Sequence, residues 1–206
     1  AVIDVLWPDC APGRHSALLG NLLHRVRKTF GRGKNTGPEQ SCLRYENEHL
    51  FFDRSAVWTD VGAFQGAISE AVQSDNGKDG EKTLRIYEQG LSLYQGEYLP
   101  EDVYEDWTVP LREELRTKYL KALDRAGDLA EELGDAQRAA AYHERLFTAD
   151  QCHEKACRRL MTRALAEGRR SEAIRVYERC QLALRKELDI DPEEKTRKLY
   201  RSIIGG

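Results

Sequence analysis

No stretch of this 206-residue chain is apolar for long enough to cross a bilayer as a helix, and no signal-peptide pattern is present. That excludes a helical membrane span. Cysteine is sparse and unpaired in pattern: Cys10, Cys42, Cys152, Cys157 and Cys180 are an odd, scattered set, unlike a disulfide framework. A reducing cytoplasm is the expected setting. The carboxylates Glu97, Glu101, Asp102, Glu105 and Asp106 are dense, yet no nucleophile, glycine-rich phosphate loop or supporting histidine accompanies them. They read as a solvated connection, and the chain as no enzyme and as holding no cofactor. Acid itself is missing from residues 11 to 38, which contain Arg14, Arg25, Arg27, Lys28, Arg32 and Lys34. The net charge of -3 implies no partner for the whole chain, but this polarity suits one end that meets a polyanion and a remainder that stays in solution.

What is present begins with a repeat. Leu133-Gly134-Asp135 with Ala139 and Tyr142 returns at a 34-residue period as Glu167-Gly168-Arg169 with Ala173 and Val176-Tyr177. Two amphipathic helices per period, with small residues where helices approach, is the tetratricopeptide pattern. Arg85-Ile86-Tyr87-Glu88 echoes Arg175-Val176-Tyr177-Glu178 and points to an earlier, degenerate hairpin. Such scaffolds bind rather than catalyse.

Val2, Ile3, Val5 and Leu6 read as the last turns of a helix that Pro8 ends, and Trp7 to Gly13 as a turn. The chain opens at Ala1-Val2-Ile3, without Met and in mid-pattern, so a fragment of a longer protein is expected. A basic helix follows from Arg14 to Phe30, with Leu19, Leu22, Leu23, Val26 and Phe30 on one face and Arg14, Asn21, His24, Arg25 and Lys28 on the other. Gly31 to Gln40 is a loop. Cys42 to Tyr45 and His49 to Phe52, separated by Glu46-Asn47-Glu48, form an antiparallel hairpin with Leu43, Leu50 and Phe52 in the core. Helix, turn, basic helix and hairpin is the order of a winged helix-turn-helix.

From Thr59-Asp60, either of which can cap the next helix, the expectation is helical throughout. Val61, Phe64, Ile68 and Val72 make the first apolar side, Ser74 to Gly80 is a break, and Glu81 to Tyr94 presents Leu84, Tyr87 and Leu91. Gly96 to Asp106 is irregular, and a long helix runs from Trp107 to Leu133. Trp107, Tyr98 and Tyr104 are expected to plug the connection onto the bundle, their edges open to a partner. Asp191-Pro192 caps a last helix carrying Leu199, Ile203 and Ile204.

Groove reading needs forked or amide donors for base edges and cations for phosphates. Arg25, Arg27 and Lys28 are the candidates for phosphate or groove contact, and Arg14, His15, Ser16, Asn21 and His24 occupy positions that reach bases. The bland alternative is a solvated charged face. Arg44 or Arg54 in the hairpin would lie near the sugar-phosphate backbone, or the hairpin only closes the core. A metal site from Cys152, His153 and Cys157 with His143 is disfavoured by spacing; Cys157 and Cys180 fall where repeats bury small side chains and read as packing thiols.

Tyr94-Gln95-Gly96-Glu97-Tyr98-Leu99-Pro100, then Tyr104-Glu105-Asp106-Trp107, Arg112-Glu113-Glu114-Leu115 and Tyr119, resemble the bacterial transcriptional activator domain of the AfsR/SARP regulators. The likeness runs on through Gly168-Arg169, Glu172-Ala173, Tyr177, Leu184, Glu187-Leu188 and Thr196, over roughly residues 60 to 204. Leu6-Trp7-Pro8-Asp9 and Leu22-Leu23-His24-Arg25-Val26-Arg27-Lys28 look like the end of that family's winged helix. The resemblance implies that residues 1 to 58 are the C-terminal part of an OmpR-type DNA-binding domain, without its N-terminal strands and first helix.

The expected architecture is mainly α: a partial winged helix with a small β-hairpin over 1–58, then a TPR-like antiparallel bundle of about seven helices over 59–206. The expected function is a DNA-binding transcriptional activator. Its partners would be double-stranded promoter DNA, RNA polymerase or a regulatory domain of the same protein, and a second copy. The competing reading is a protein-interaction or signal-sensing module without DNA binding.

Overall fold

The computed structural model describes residues 7, 14–30, 43–46, 49–52, 57–75, 77, 79–102 and 104–205. The helix expected before Pro8, the loop Gly31 to Gln40, the hairpin turn at Asn47, and Cys10, Cys42 and Arg54 lie outside these residues. So do the side chains of His15, Ser16, Phe30 and Arg44, whose backbones are described. The chain divides into two compact units, Ala1–Gly62 and Ala63–Gly206.

In the first unit, α1 (His15–Phe30) faces a hairpin of β1 (Leu43–Glu46) and β2 (His49–Phe52). The strands are antiparallel in the register Leu43↔Phe52, Arg44↔Phe51, Tyr45↔Leu50 and Glu46↔His49. Side chains alternate across a strand, so Leu43, Tyr45, Leu50 and Phe52 share one face. Leu19, Leu23 and Leu43 are buried together, with Trp7, Val26 and Leu50 packed against them. Each fully buried leucine is worth about 2 kcal/mol over an exposed one. Phe52 is 41% exposed, against the core position expected for it. It sits at the end of β2, opposite Leu43.

The second unit is a run of helices: α2 (Asp60–Ser74, its first turn still in the first unit), α3 (Gly80–Leu93), α4 (Val109–Glu132), α5 (Ala136–Ala149), α6 (Glu154–Ala166), α7 (Arg170–Leu188) and α8 (Glu194–Ile204). From α3 onward each helix packs on the next, and α8 returns onto both α7 and α6. Short connections make sequential neighbours antiparallel. Leu84 and Leu91 of α3, Leu123 of α4, Leu146 and Phe147 of α5 and Met161 of α6 are fully buried. The unit is mainly α and TPR-like.

The repeat is visible in backbone chemistry. Gly134 and Gly168 adopt φ of +77° and +71°, the left-handed C′ position glycine occupies without a Cβ penalty. Asp135 N–H donates to the Ala130 carbonyl and Gly134 N–H to Glu131; one period later Arg169 N–H donates to Ala164 and Gly168 N–H to Leu165. Two Schellman closures therefore end α4 and α6 identically. Helix starts are capped by side chains: Asp79 accepts from Lys82 N–H, Asp135 from Arg138 N–H and His153 from Ala156 N–H. Both candidates at α2 take part, Thr59 Oγ1 accepting from Gly62 N–H at 3.0 Å and Asp60 Oδ1 from Val61 N–H at 2.7 Å.

Three expectations are corrected. Val72 is 55% exposed, because the buried stripe of α2 runs through Phe64, Ile68 and Ala71 and leaves Val72 off its edge. Glu193, not Asp191-Pro192, is the N-cap of α8, while Pro192 is buried and Ile204 is exposed. The aromatic plug is absent: Tyr104 is 97% and Trp107 48% exposed, and Tyr98 is half-buried. Arg112 holds the connection instead. Its guanidinium donates from Nε to the Tyr98 carbonyl (3.0 Å) and from Nη2 to those of Leu99 (3.0 Å) and Asp102 (3.4 Å). Buried Thr108 donates to the Glu105 carbonyl at 2.8 Å. The long helix accordingly begins after a 3₁₀ turn, Asp106–Thr108, rather than at Trp107.

Candidate nucleic-acid interface

Helix α1 places its functional side chains by period alone. With Leu19 and Leu23 turned to the hairpin, positions 14, 21, 25 and 28 fall on the opposite stripe at 3.6 residues per turn. Arg14, Asn21, His24, Arg25 and Lys28 are all exposed. The stripe spans about 21 Å from Arg14 to Lys28 at the helical rise. No acid occupies the first turn, and Arg27 and Lys28 sit in the last, where cations oppose the negative end of the helix dipole.

Arg27 stands apart from that stripe. It is half-buried, and its Nε–H donates to the Leu43 carbonyl at 3.1 Å. The group proposed for phosphate or groove contact is thus committed, at Nε, to fastening β1 onto α1. That bond orients the helix relative to the hairpin. Arg44 lies in β1 opposite Phe51. His15 and Ser16 open α1, at the end where backbone N–H groups point outward.

Chemistry elsewhere resolves into packing. His153 Nδ1 accepts the Ala156 N–H at 3.3 Å, a capping role. Cys157 and Cys180 are buried, Cys157 Sγ lying 3.6 Å from Met161 Sδ and 3.8 Å from the Val176 carbonyl. A hydrogen bond that the Cys157 thiol donates to Cys180, followed by burial, holds that thiol far above its usual range. Burial, with Glu187 nearby, pushes Cys152 up to about 11, so it too is a thiol at neutral pH. His143 is buried against Gly127 of α4, and burial, reinforced by Arg159, lowers it to about 4. Among the described residues no group of His, Cys, Asp or Glu is arranged to hold a metal ion.

Several organising residues gave no signal in the sequence. Arg125 grips Asp75 through Nε and Nη2 at 2.6 and 2.7 Å, Arg138 grips Glu81 at 3.0 and 2.9 Å, and Lys155 reaches Asp124 and Asp128. Each pair joins a helix to another helix or, for Asp75, to the turn that follows α2, so no local spacing announces it. The one available hint was Arg112, quoted in a family motif but not read as a clamp.

The bacterial transcriptional activator domain family matches residues 59–204. A solved structure of Mycobacterium tuberculosis EmbR in complex with a low affinity phosphopeptide is similar in fold, with a TM-score of 0.75 at 22% identity. The match covers 100% of this chain and 54% of that one, so the chain spans about half the length of the EmbR chain. No curated protein matches the sequence. No helix of the described residues is long and apolar enough to cross a membrane. With the family match running over most of its length, from the α2 cap to the end of α8, the chain belongs to the bacterial transcriptional activator domain family.

Proposed function

We propose that this chain is part of a DNA-binding transcriptional regulator of the SARP type, in which residues 1–58 are the C-terminal part of an OmpR-type winged helix and α1 is its recognition helix. The observation that carries the reading is the acid-free stripe Arg14, Asn21, His24, Arg25 and Lys28, exposed on the side of α1 opposite its leucine core. A helix of this kind fits the major groove. Arg25 and Lys28 neutralise phosphates, while Arg14, His15, Ser16, Asn21 and His24 face base edges, and Arg44 approaches the backbone from the hairpin. Arg27 acts mainly by holding the hairpin. The TPR-like unit supplies the contact to a second copy, to RNA polymerase or to a regulatory domain, and the protein works in the cytoplasm.

The test is the salt dependence of duplex binding. Each neutralised phosphate contributes about -0.9 to the slope of log K against log salt concentration. Arg25→Ala and Lys28→Ala are each expected to flatten that slope by about 1, with binding weakened across sequences. A slope of zero, or one unmoved by both changes, sinks the reading and leaves a protein-interaction module.

A further inference from the structure

The connection between α3 and α4 displays what proteins ordinarily cover. Tyr104 projects almost wholly into solvent, Trp107 is half-exposed, and Leu99 and Val109 are exposed beside them. Large exposed rings mark contact sites for macromolecules. These rings are not on a loose tether, because Arg112 binds three carbonyls of the segment and Thr108 a fourth. A surface already ordered loses little entropy when a partner arrives.

Charge decides which partner. Glu97, Glu101, Asp102, Glu105 and Asp106, in the same connection as the rings, are all exposed. From Gln95 to Arg112 the sole cation is Arg112 itself, buried and given over to backbone carbonyls. Trp107 Nε1 donates to Glu105 Oε2 at 3.1 Å, which ties the indole edge to a carboxylate. Nucleic acid, an anionic membrane and the same surface of a second copy are all repelled by this field. A guanidinium or ammonium group is attracted twice, by the carboxylates and by the ring quadrupoles, and its methylene stem covers apolar surface.

We propose that the connection before α4, at residues 97–102 and 104–109, is a docking surface for a cationic segment of a protein partner, whose Arg or Lys side chains lie on Tyr104 and Trp107 and pair with the carboxylates of the same connection. This rests on the second unit alone and stands whether or not α1 reads DNA.

The experiment uses the whole chain and a fluorescein-labelled synthetic peptide of alternating arginine and leucine, with binding followed by anisotropy at low and at physiological ionic strength. Tyr104→Ala is expected to weaken binding about threefold, and Tyr104→Ala/Trp107→Ala about tenfold, at each salt level. Replacing Glu101, Asp102 and Glu105 with Gln, Asn and Gln is expected to weaken binding and remove most of its salt dependence. Peptide affinity unchanged by loss of both rings overturns the proposal in favour of unspecific charge attraction; equal binding of a glutamate–leucine peptide overturns it in favour of unspecific apolar contact. Tyr104 projects into solvent, so Tyr104→Ala retains the wild-type melting temperature and keeps the test valid if the double variant unfolds. Duplex binding measured on the same samples stays at the wild-type level, which separates this result from any failure of the α1 reading.

Discussion

The arginines of the two units are used in opposite ways. In the second unit Arg112 is buried on carbonyls, Arg125 grips Asp75 in the turn after α2, Arg138 grips Glu81 of α3, and Lys155 joins α6 to Asp124 and Asp128 of α4. In the first, Arg14, Arg25 and Lys28 form no ion pair among the described residues, whereas Arg27 is turned to an internal acceptor. Cations that staple helices have partners within the fold. Cations without them, on a helix that has no acid, are the ones available to another molecule.

The comparison breaks most visibly at Arg112. Arg112→Met removes three charge-assisted hydrogen bonds, taking from the Tyr98 carbonyl the donor it has from Arg112 while Leu99 and Asp102 keep the N–H groups of Asp102 and Glu105, and is expected to cost about 4 kcal/mol, read as a large fall in melting temperature. Thermal stability at the wild-type level would show that the connection holds itself.

His143 offers the next largest effect, and its sign is definite. Burial depresses its folded pKa to about 4, below the 6.5 of an unfolded histidine, so the unfolded chain takes up a proton first as pH falls. Its neutral burial is fully compatible with the fold above pH 6.5 and increasingly unfavourable down to about 4, a loss of about 3 kcal/mol over that window. Urea titrations of wild type and His143→Leu should diverge by that amount between neutral and acid pH; parallel curves contradict it.

Gly127 comes third. A Cβ there would lie 2.6 Å from His143 Nε2, so Gly127→Ala is expected to destabilise by about 2 kcal/mol. Adding His143→Ala should recover much of that, which a double-mutant cycle reads directly.

The smallest change in stability sharpens the contrast within α1 itself. Arg27→Ala is expected to cost about 1 kcal/mol through its lost bond to Leu43. Arg25→Ala should leave stability within about 0.5 kcal/mol while weakening duplex binding about tenfold. Equal melting losses for both would erase the distinction between tethering and binding arginines.

Much of this arrangement was legible before any coordinates. The leucine stripe of α1, the hairpin and the break before α3 follow from local rules of period and turn chemistry, and the 34-residue repeat marks Gly134 and Gly168 without showing that they are left-handed. The aromatic plug was misread because hydrophobicity reports a preference for burial and not whether anything is present to cover the ring. Val72 fails for the same reason, lying at the edge of its stripe.

The sequence by itself determined the helical period, the repeat closed at Gly134 and Gly168, and the segregation of positive charge onto one helix, because these depend on neighbours within a few residues. Only the tertiary structure decided that Arg112 is a clamp, that His143 shares its space with Gly127, and that Arg27 faces inward while Arg25 faces out. Those outcomes join residues of different elements, and a side chain's chemistry does not specify which of several distant acceptors the folded chain brings within 3 Å of it.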